Sequence, residues 1–125
     1  MYPQAWNHRY FLIENTEEGW SDEVVVSEVR YALEKLKKAF HNESGWNYLR
    51  GVTGNHAKGL LVLPDIVAVC NEAPSSVYAA AVLADALIAG GSNAEAGDLF
   101  EKLATEIDPI REKYWQYRRL SLEKR

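Results

Sequence analysis

The residues of this chain best suited to chemistry are three histidines, one cysteine and an arginine set one helical turn after a tryptophan. His8, His41, His56 and Cys70 are the types that hold zinc, and a cysteine thiolate is also a nucleophile. Their spacing argues against both roles. No pair stands at tight ligand spacing, and His8 and His41 fall at different positions of the repeat described below. The expectation is therefore no metal site within the chain. Cys70 follows the apolar run Ile66-Val67-Ala68-Val69 and reads as a small core residue. Gly90-Gly91-Ser92 is not a phosphate loop, because no Lys-Ser or Lys-Thr follows at the required spacing. Arg9 could hold an anion, or it could bridge to a carboxylate or carbonyl of a neighbouring element; the bridge is the expectation. Glu28 with Arg30, and Glu101 with Lys102, read as solvated helix faces. No residue is assigned a catalytic role.

The elements that would position these groups announce themselves by repetition. Ala5-Trp6-Asn7-His8-Arg9-Tyr10 returns as Gly45-Trp46-Asn47-Tyr48-Leu49-Arg50, with Trp46 forty positions after Trp6. A fixed interval in the range of about 20–50 residues marks a stacked-repeat architecture. The flanking periodicity is helical, so the repeat unit is a helical hairpin. Trp6, Asn7, Trp46, Asn47 and Trp115 are expected to pack between hairpins rather than to stack on a ligand.

Seven helices follow from caps and breakers. One starts at Pro3 and ends before Asn15-Thr16-Glu17-Glu18-Gly19. The next runs from Asp22 to Phe40 behind an Ser21 N-cap, with Trp20 and Val25 placed as a hydrophobic staple. Its stripe is Val25, Val29, Ala32, Leu33, Leu36 and Phe40. Asn42 caps a third helix, inside which Gly45 costs about 1 kcal/mol relative to Ala. Gly51, Gly54 and Gly59 bracket a loop. Further helices are read over 64–72, 76–89 and 94–107, the last with Leu99, Leu103 and Ile107 inward. Asp108-Pro109 reads as a cap followed by a first helical residue, opening a seventh helix through Tyr114, Trp115 and Leu120. The fold class is all-α, an α-α superhelix of antiparallel hairpins in one region, 1–125. Its repeat-like units lie at about 1–18 and 22–53, with degenerate hairpins at 60–89 and 94–125.

Composition narrows the function classes. The chain has 125 residues, 47% of them hydrophobic and 26% charged, with a net charge of −4. That charge gives nucleic-acid binding no electrostatic footprint. The one basic cluster, Arg118-Arg119 with Lys124-Arg125, suits a helix C-terminus. A lone cysteine permits no internal disulfide and fits a reducing, cytoplasmic location. No apolar run is long enough to span a bilayer. The first tryptophan helix opens with Tyr2, Trp6, Tyr10 and Phe11, which is no polar solenoid cap. The expectation is that residues precede it in a longer chain, or that another chain covers it.

Ala5–Ile13 resembles a late repeat of the alpha subunit shared by protein farnesyltransferase and type I geranylgeranyltransferase. His41–Gly51 resembles the next repeat, and Ile110–Arg118 resembles the closing helix; 58–104 fits only as generic hairpins. The resemblance implies the C-terminal part of an alpha subunit wrapped around a zinc-bearing beta subunit. Such an enzyme moves a farnesyl or geranylgeranyl group from an isoprenoid diphosphate to the C-terminal cysteine of CaaX proteins, with zinc and magnesium serving the complex. The family's alpha-subunit lysine stands five positions before a repeat tryptophan. Here those positions are Met1 and His41, so that role does not transfer. By the same resemblance Tyr2 and Gln4 lie in an inter-helix turn near the partner or substrate, and Arg9 faces the diphosphate side. Two rivals are the Rab-type geranylgeranyltransferase alpha subunit and a non-enzymatic helical-repeat adaptor.

Overall fold

A computed structural model describes residues 3–123. Among them there are seven α-helices and no strand: α1 (Pro3–Glu14), α2 (Asp22–Leu36), α3 (Glu43–Thr53), α4 (Asp65–Asn71), α5 (Val77–Ala89), α6 (Asn93–Lys102) and α7 (Glu112–Leu122). The all-α hairpin architecture is as expected. α1 packs on α3, α2 on α3, α4 on α5, α5 on α6 and α6 on α7.

The helix starts follow the caps read from the sequence. Ser21 Oγ accepts from the Val24 N–H, Asn42 Oδ1 from Gly45 and Ser76 Oγ from Ala79. Trp20 packs against the cluster that buries Val25, as the staple requires. The end of α5 is a Schellman turn: Ser92 N–H donates to Leu87 O and Gly91 N–H to Ile88 O. Gly91 takes φ +83°, a conformation that other residues adopt only at a cost.

Four boundaries differ from the expectation; the first is at α7, which begins at Glu112 after a 3-10 turn over Pro109–Arg111 and not at Asp108-Pro109. α2 stops at Leu36 and not at Phe40, because the chain tightens into i→i−3 bonds at Lys38 and Ala39. That exit frees the Phe40 carbonyl, which then accepts from both Trp46 Nε1 (2.7 Å) and Ser76 Oγ (3.0 Å). α6 stops at Lys102, and a π turn over Leu103–Ile107 follows, closed by Asp108 N–H on Leu103 O. The widened turn keeps Leu103 and Ala104 both buried, while Leu99 and Ile107 are only half-buried. Gly51 lies within α3, so the loop begins at Gly54 and runs to a 3-10 turn at Gly59–Leu61.

The core has two parts. The first gathers Trp6, Val25, Val29, Leu33, Leu36, Trp46, Leu49, Val52, Ile66 and Cys70. The second gathers Phe100, Leu103, Ala104 and Trp115. α5 serves both: Ala79 and Val82 face the first cluster, Ala80 and Ala84 the second. Small side chains there allow close approach on two sides at once. No helix among the described residues is long and apolar enough to cross a membrane.

Gly45 has a packing reason. A Cβ built there would stand 2.8 Å from Leu36 Cδ2, with Trp6 Cζ2 at 3.6 Å on the other side. Gly45→Ala gains about 1 kcal/mol of helix propensity. Overpacking a full core costs about 1–3 kcal/mol, and Leu36 is fully buried. The expected result is a net loss of about 1 kcal/mol, read as a lower urea midpoint at unchanged slope. A raised midpoint would show that Leu36 can yield.

Candidate functional site

The polar chemistry of the chain concentrates where α1, α2 and α3 meet. Glu28 sits mid-helix on α2 and is buried (6% exposed), contrary to its reading as a solvated face. Its partners come from the flanking helices. Arg9 of α1 donates through Nε to Glu28 Oε1 and through Nη2 to Oε2 at 2.8 Å. Tyr48 of α3 donates to Oε1 at 2.6 Å. The Arg9 guanidinium also lies 3.6 Å from the Tyr31 ring centroid. Burial works to raise the Glu28 carboxyl, but the hydrogen bonds from Arg9 and Tyr48 outweigh it and hold the group below its ordinary value. Burial, then the bond to Glu28, pushes the Tyr48 hydroxyl up. Arg9 thus bridges to a neighbouring carboxylate, with both its forks and its flat face engaged.

A cleft opens beside this network between α1 and α3, lined by Trp6, Asn7, Tyr10, Ser44, Asn47 and Tyr48. Trp6 forms part of its buried wall, at 2% exposure. Trp6 packs against Tyr48 with ring centroids 4.6 Å apart and the planes tilted by 37°, and it meets Tyr31 edge-on. Asn7 and Asn47 are exposed and line the cleft mouth, where the sequence reading had packed them between hairpins. Gln4 is exposed in the first turn of α1 and not in an inter-helix turn. Tyr2, Met1 and Lys124-Arg125 lie outside the described residues.

A second hub joins the two core clusters. Asp85 of α5 accepts from Arg50 of α3 at 2.8 Å and from Arg118 of α7 at 2.6 Å. Arg118 also donates to Tyr114 and stands 4.8 Å from the Phe100 ring centroid. Arg118 and Arg119 are therefore tied down: Arg119 reaches Gln116 and Glu101. Asp108 does not cap a helix with its side chain. Its carboxylate accepts from Trp115 Nε1 at 3.0 Å and from Arg111. Asp108→Ala is expected to cost about 1–3 kcal/mol by stranding a buried indole N–H, with Asp108→Asn costing less because it keeps an acceptor. Chemical denaturation checks this; equal costs would show that the indole bond is not what matters.

No three His, Cys, Asp or Glu residues come together among the described residues. His8 and His41 are exposed and separate, and His56 Nδ1 accepts the Lys58 N–H. Cys70 is buried, and burial pushes its thiol up to about 12. The role of Glu28 could not be read locally, because its partners lie nineteen and twenty residues away.

Residues 26–56 match the family model for the protein prenyltransferase alpha subunit repeat. Over 112 residues the chain is 27% identical to the protein farnesyltransferase/geranylgeranyltransferase type-1 subunit alpha of Candida albicans, covering 86% of this chain and 37% of that protein. The subunit of the same name from Arabidopsis thaliana is 27% identical, with 92% and 42% covered. That of Dictyostelium discoideum is 25% identical, with 91% and 38% covered. The chain thus spans about two fifths of the length of these relatives. Among solved structures, Candida albicans protein geranylgeranyltransferase-I complexed with GGPP superposes with a TM-score of 0.79 at 24% identity, covering 96% of this chain and 41% of that one. Residues 26–56 thus match the alpha-subunit repeat model and the chain shares the fold of that solved structure, as the resemblance at Trp6–Gly51 indicated.

Proposed function

We propose that this chain works as part of the alpha subunit of a heterodimeric CaaX protein prenyltransferase, acting in the cytoplasm. The observation that carries the reading is the repeat over 26–56, built around a buried Trp46 and preceded by an equivalent tryptophan helix, in a chain whose relatives bear the alpha-subunit name. In this reading the helices are a scaffold for a zinc-bearing beta subunit. The assembled enzyme transfers a farnesyl or geranylgeranyl group from an isoprenoid diphosphate to the C-terminal cysteine of target proteins. Zinc and magnesium belong to the complex; the described residues of this chain offer no three-ligand cluster for them. Cys70 is buried with its thiol held protonated, so it is no nucleophile. Arg9 is engaged by Glu28 and is assigned to holding α1 on α2, not to the diphosphate. Tyr2 and Gln4 are proposed as contacts to the partner.

The test is co-expression of the full-length parent with a beta subunit from the same source. The expected result is a stoichiometric complex that prenylates a CaaX peptide from farnesyl or geranylgeranyl diphosphate. Failure to form any complex would remove the reading.

A further inference from the structure

The chain holds three pairs of adjacent basic residues, Lys37-Lys38, Arg118-Arg119 and Lys124-Arg125. Of these, Arg118-Arg119 is the pair with a hydroxyl two positions on, at Ser121, followed by the apolar Leu122. Protein kinases select substrates by such charge patterns, and acidic pockets in the kinase read arginines just before a serine. The placement of Ser121 suits that use. Tyr114, Tyr117 and Ser121 stand at spacings of three and four and share one face of α7. Tyr114 is 48% and Tyr117 67% exposed, so this face meets solvent. Ser121 Oγ donates to the Tyr117 carbonyl of its own helix at 2.9 Å, and it has no partner on another element among the described residues. α7 ends one residue later, at Leu122, and a last turn opens readily because its carbonyls have no partners within the helix. Opening it releases Arg119 from Gln116 and Glu101, contacts that lie at the surface and hold weakly. Thr53, three residues after Arg50, is by contrast buried and out of reach.

We propose that Ser121 is a phosphorylation site for a serine kinase that reads basic residues, and that its phosphate draws Arg118 away from Asp85 and so loosens α7 from α5. ATP is the donor. Ser121 Oγ bonds to the γ-phosphorus, the bond to the β,γ-bridging oxygen breaks, ADP leaves, and the hydroxyl proton passes to the kinase base. The phosphate then carries a charge of about −1.5 to −2 in the last turn, beside the negative end of the helix. Arg118 stands one turn back, at a spacing that brings the two side chains together. The Asp85 hub is arranged so that Arg118 can leave. Arg50 also holds Asp85, at 2.8 Å, so the carboxylate is not stranded. The remaining contacts of Arg118, to the Tyr114 hydroxyl and the Phe100 ring, go to α7 itself and to α6. Its 2.6 Å bond to Asp85 is the ion pair that joins α7 to α5. The inference draws on α7 and its neighbours and not on prenyl transfer, so it stands or fails separately from the proposed function.

The experiment incubates the folded 125-residue chain with magnesium, ATP and the catalytic subunit of cyclic-AMP-dependent protein kinase. The expected product carries one phosphate by intact mass, placed on Ser121 by fragmentation and missing from Ser121→Ala. The phosphorylated chain should melt a few degrees lower than the unmodified one. Amides of α7 should exchange faster, while those of α3 keep their protection. In Asp85→Asn the bond is weakened beforehand, so the phosphate should lower the melting temperature less. The mass and exchange measurements need no variant, and they decide the matter if Asp85→Asn fails to fold. No phosphate on the folded chain would overturn the proposal, as would a phosphate that persists in Ser121→Ala. Unchanged melting and α7 exchange after modification, or an undiminished drop in Asp85→Asn, would overturn the part assigned to Arg118.

Discussion

Arg9→Met is expected to destabilise the protein by about 3 kcal/mol at neutral pH, because it leaves the buried Glu28 carboxylate with Tyr48 as its remaining donor. The figure lies at the low end for a broken buried pair, since the Arg9 side chain is one-third exposed. Arg9→Lys should recover only part of the loss: an ammonium cannot make both bonds and lie flat on Tyr31. The loss should shrink on acidification. Glu28 is held below its ordinary value in the folded protein. Its contribution is therefore complete above the unfolded carboxylate range, near 4.5, and disappears as the pH falls through the lower folded value. In the variant the carboxyl protonates earlier, so the two stability curves converge toward acid pH. A second substitution, Glu28→Met, should restore much of the stability that Arg9→Met removes. Denaturant titrations between neutral and acid pH decide this; a neutral Arg9→Met, or a gap that widens in acid, would show the network to be unimportant.

The second large effect is expected at Trp46→Ala, with a loss of about 3–5 kcal/mol. The indole is fully buried and holds the turn at Phe40, whose carbonyl keeps Ser76 as a donor once the indole is gone. The cost is therefore the cavity plus one hydrogen bond, without a stranded acceptor. Phe100→Ala, in the other core cluster, should cost a similar amount, and the two losses should add because the residues share no partners. Their sum reaches the whole stability of many domains, which is about 5–15 kcal/mol, so the double variant should be largely unfolded. Strong non-additivity would mean that the clusters repack as one.

What could be read from the sequence was local or periodic. Ser21, Asn42 and Ser76 announce their helices because a cap needs only the next three residues. Trp6 and Trp46 announce the repeat because a hairpin stacked on its neighbour reuses the same contact. What could not be read depends on distant partners. Glu28 sits between Ser27 and Val29 with Arg30 nearby, and nothing within one helical turn reveals that Arg9 and Tyr48 converge on it. Asp108 precedes a proline and so imitates a cap, while its real partner is an indole seven residues on. Phe40 continues the apolar stripe of α2, yet its carbonyl is needed elsewhere and the helix ends early. Asn7 and Asn47 share the repeat phase of the tryptophans beside them but turn to the cleft, because adjacent helical residues point about 100° apart.

α5 packs on both sides, and this constrains how the length of the chain can vary. Inserting one residue into a helix rotates everything beyond it by about 100°. In α5 such a rotation would take Ala79 and Val82 away from one cluster, Ala80 and Ala84 away from the other, and Asp85 away from Arg50 and Arg118. The stretch from Gly54 to Lys58 has no helix to keep in phase and can lengthen at the cost of a few side-chain bonds, those of Asn55 and His56. Insertions and deletions that accumulate in such a chain should therefore collect before α4 and leave α5 at thirteen residues.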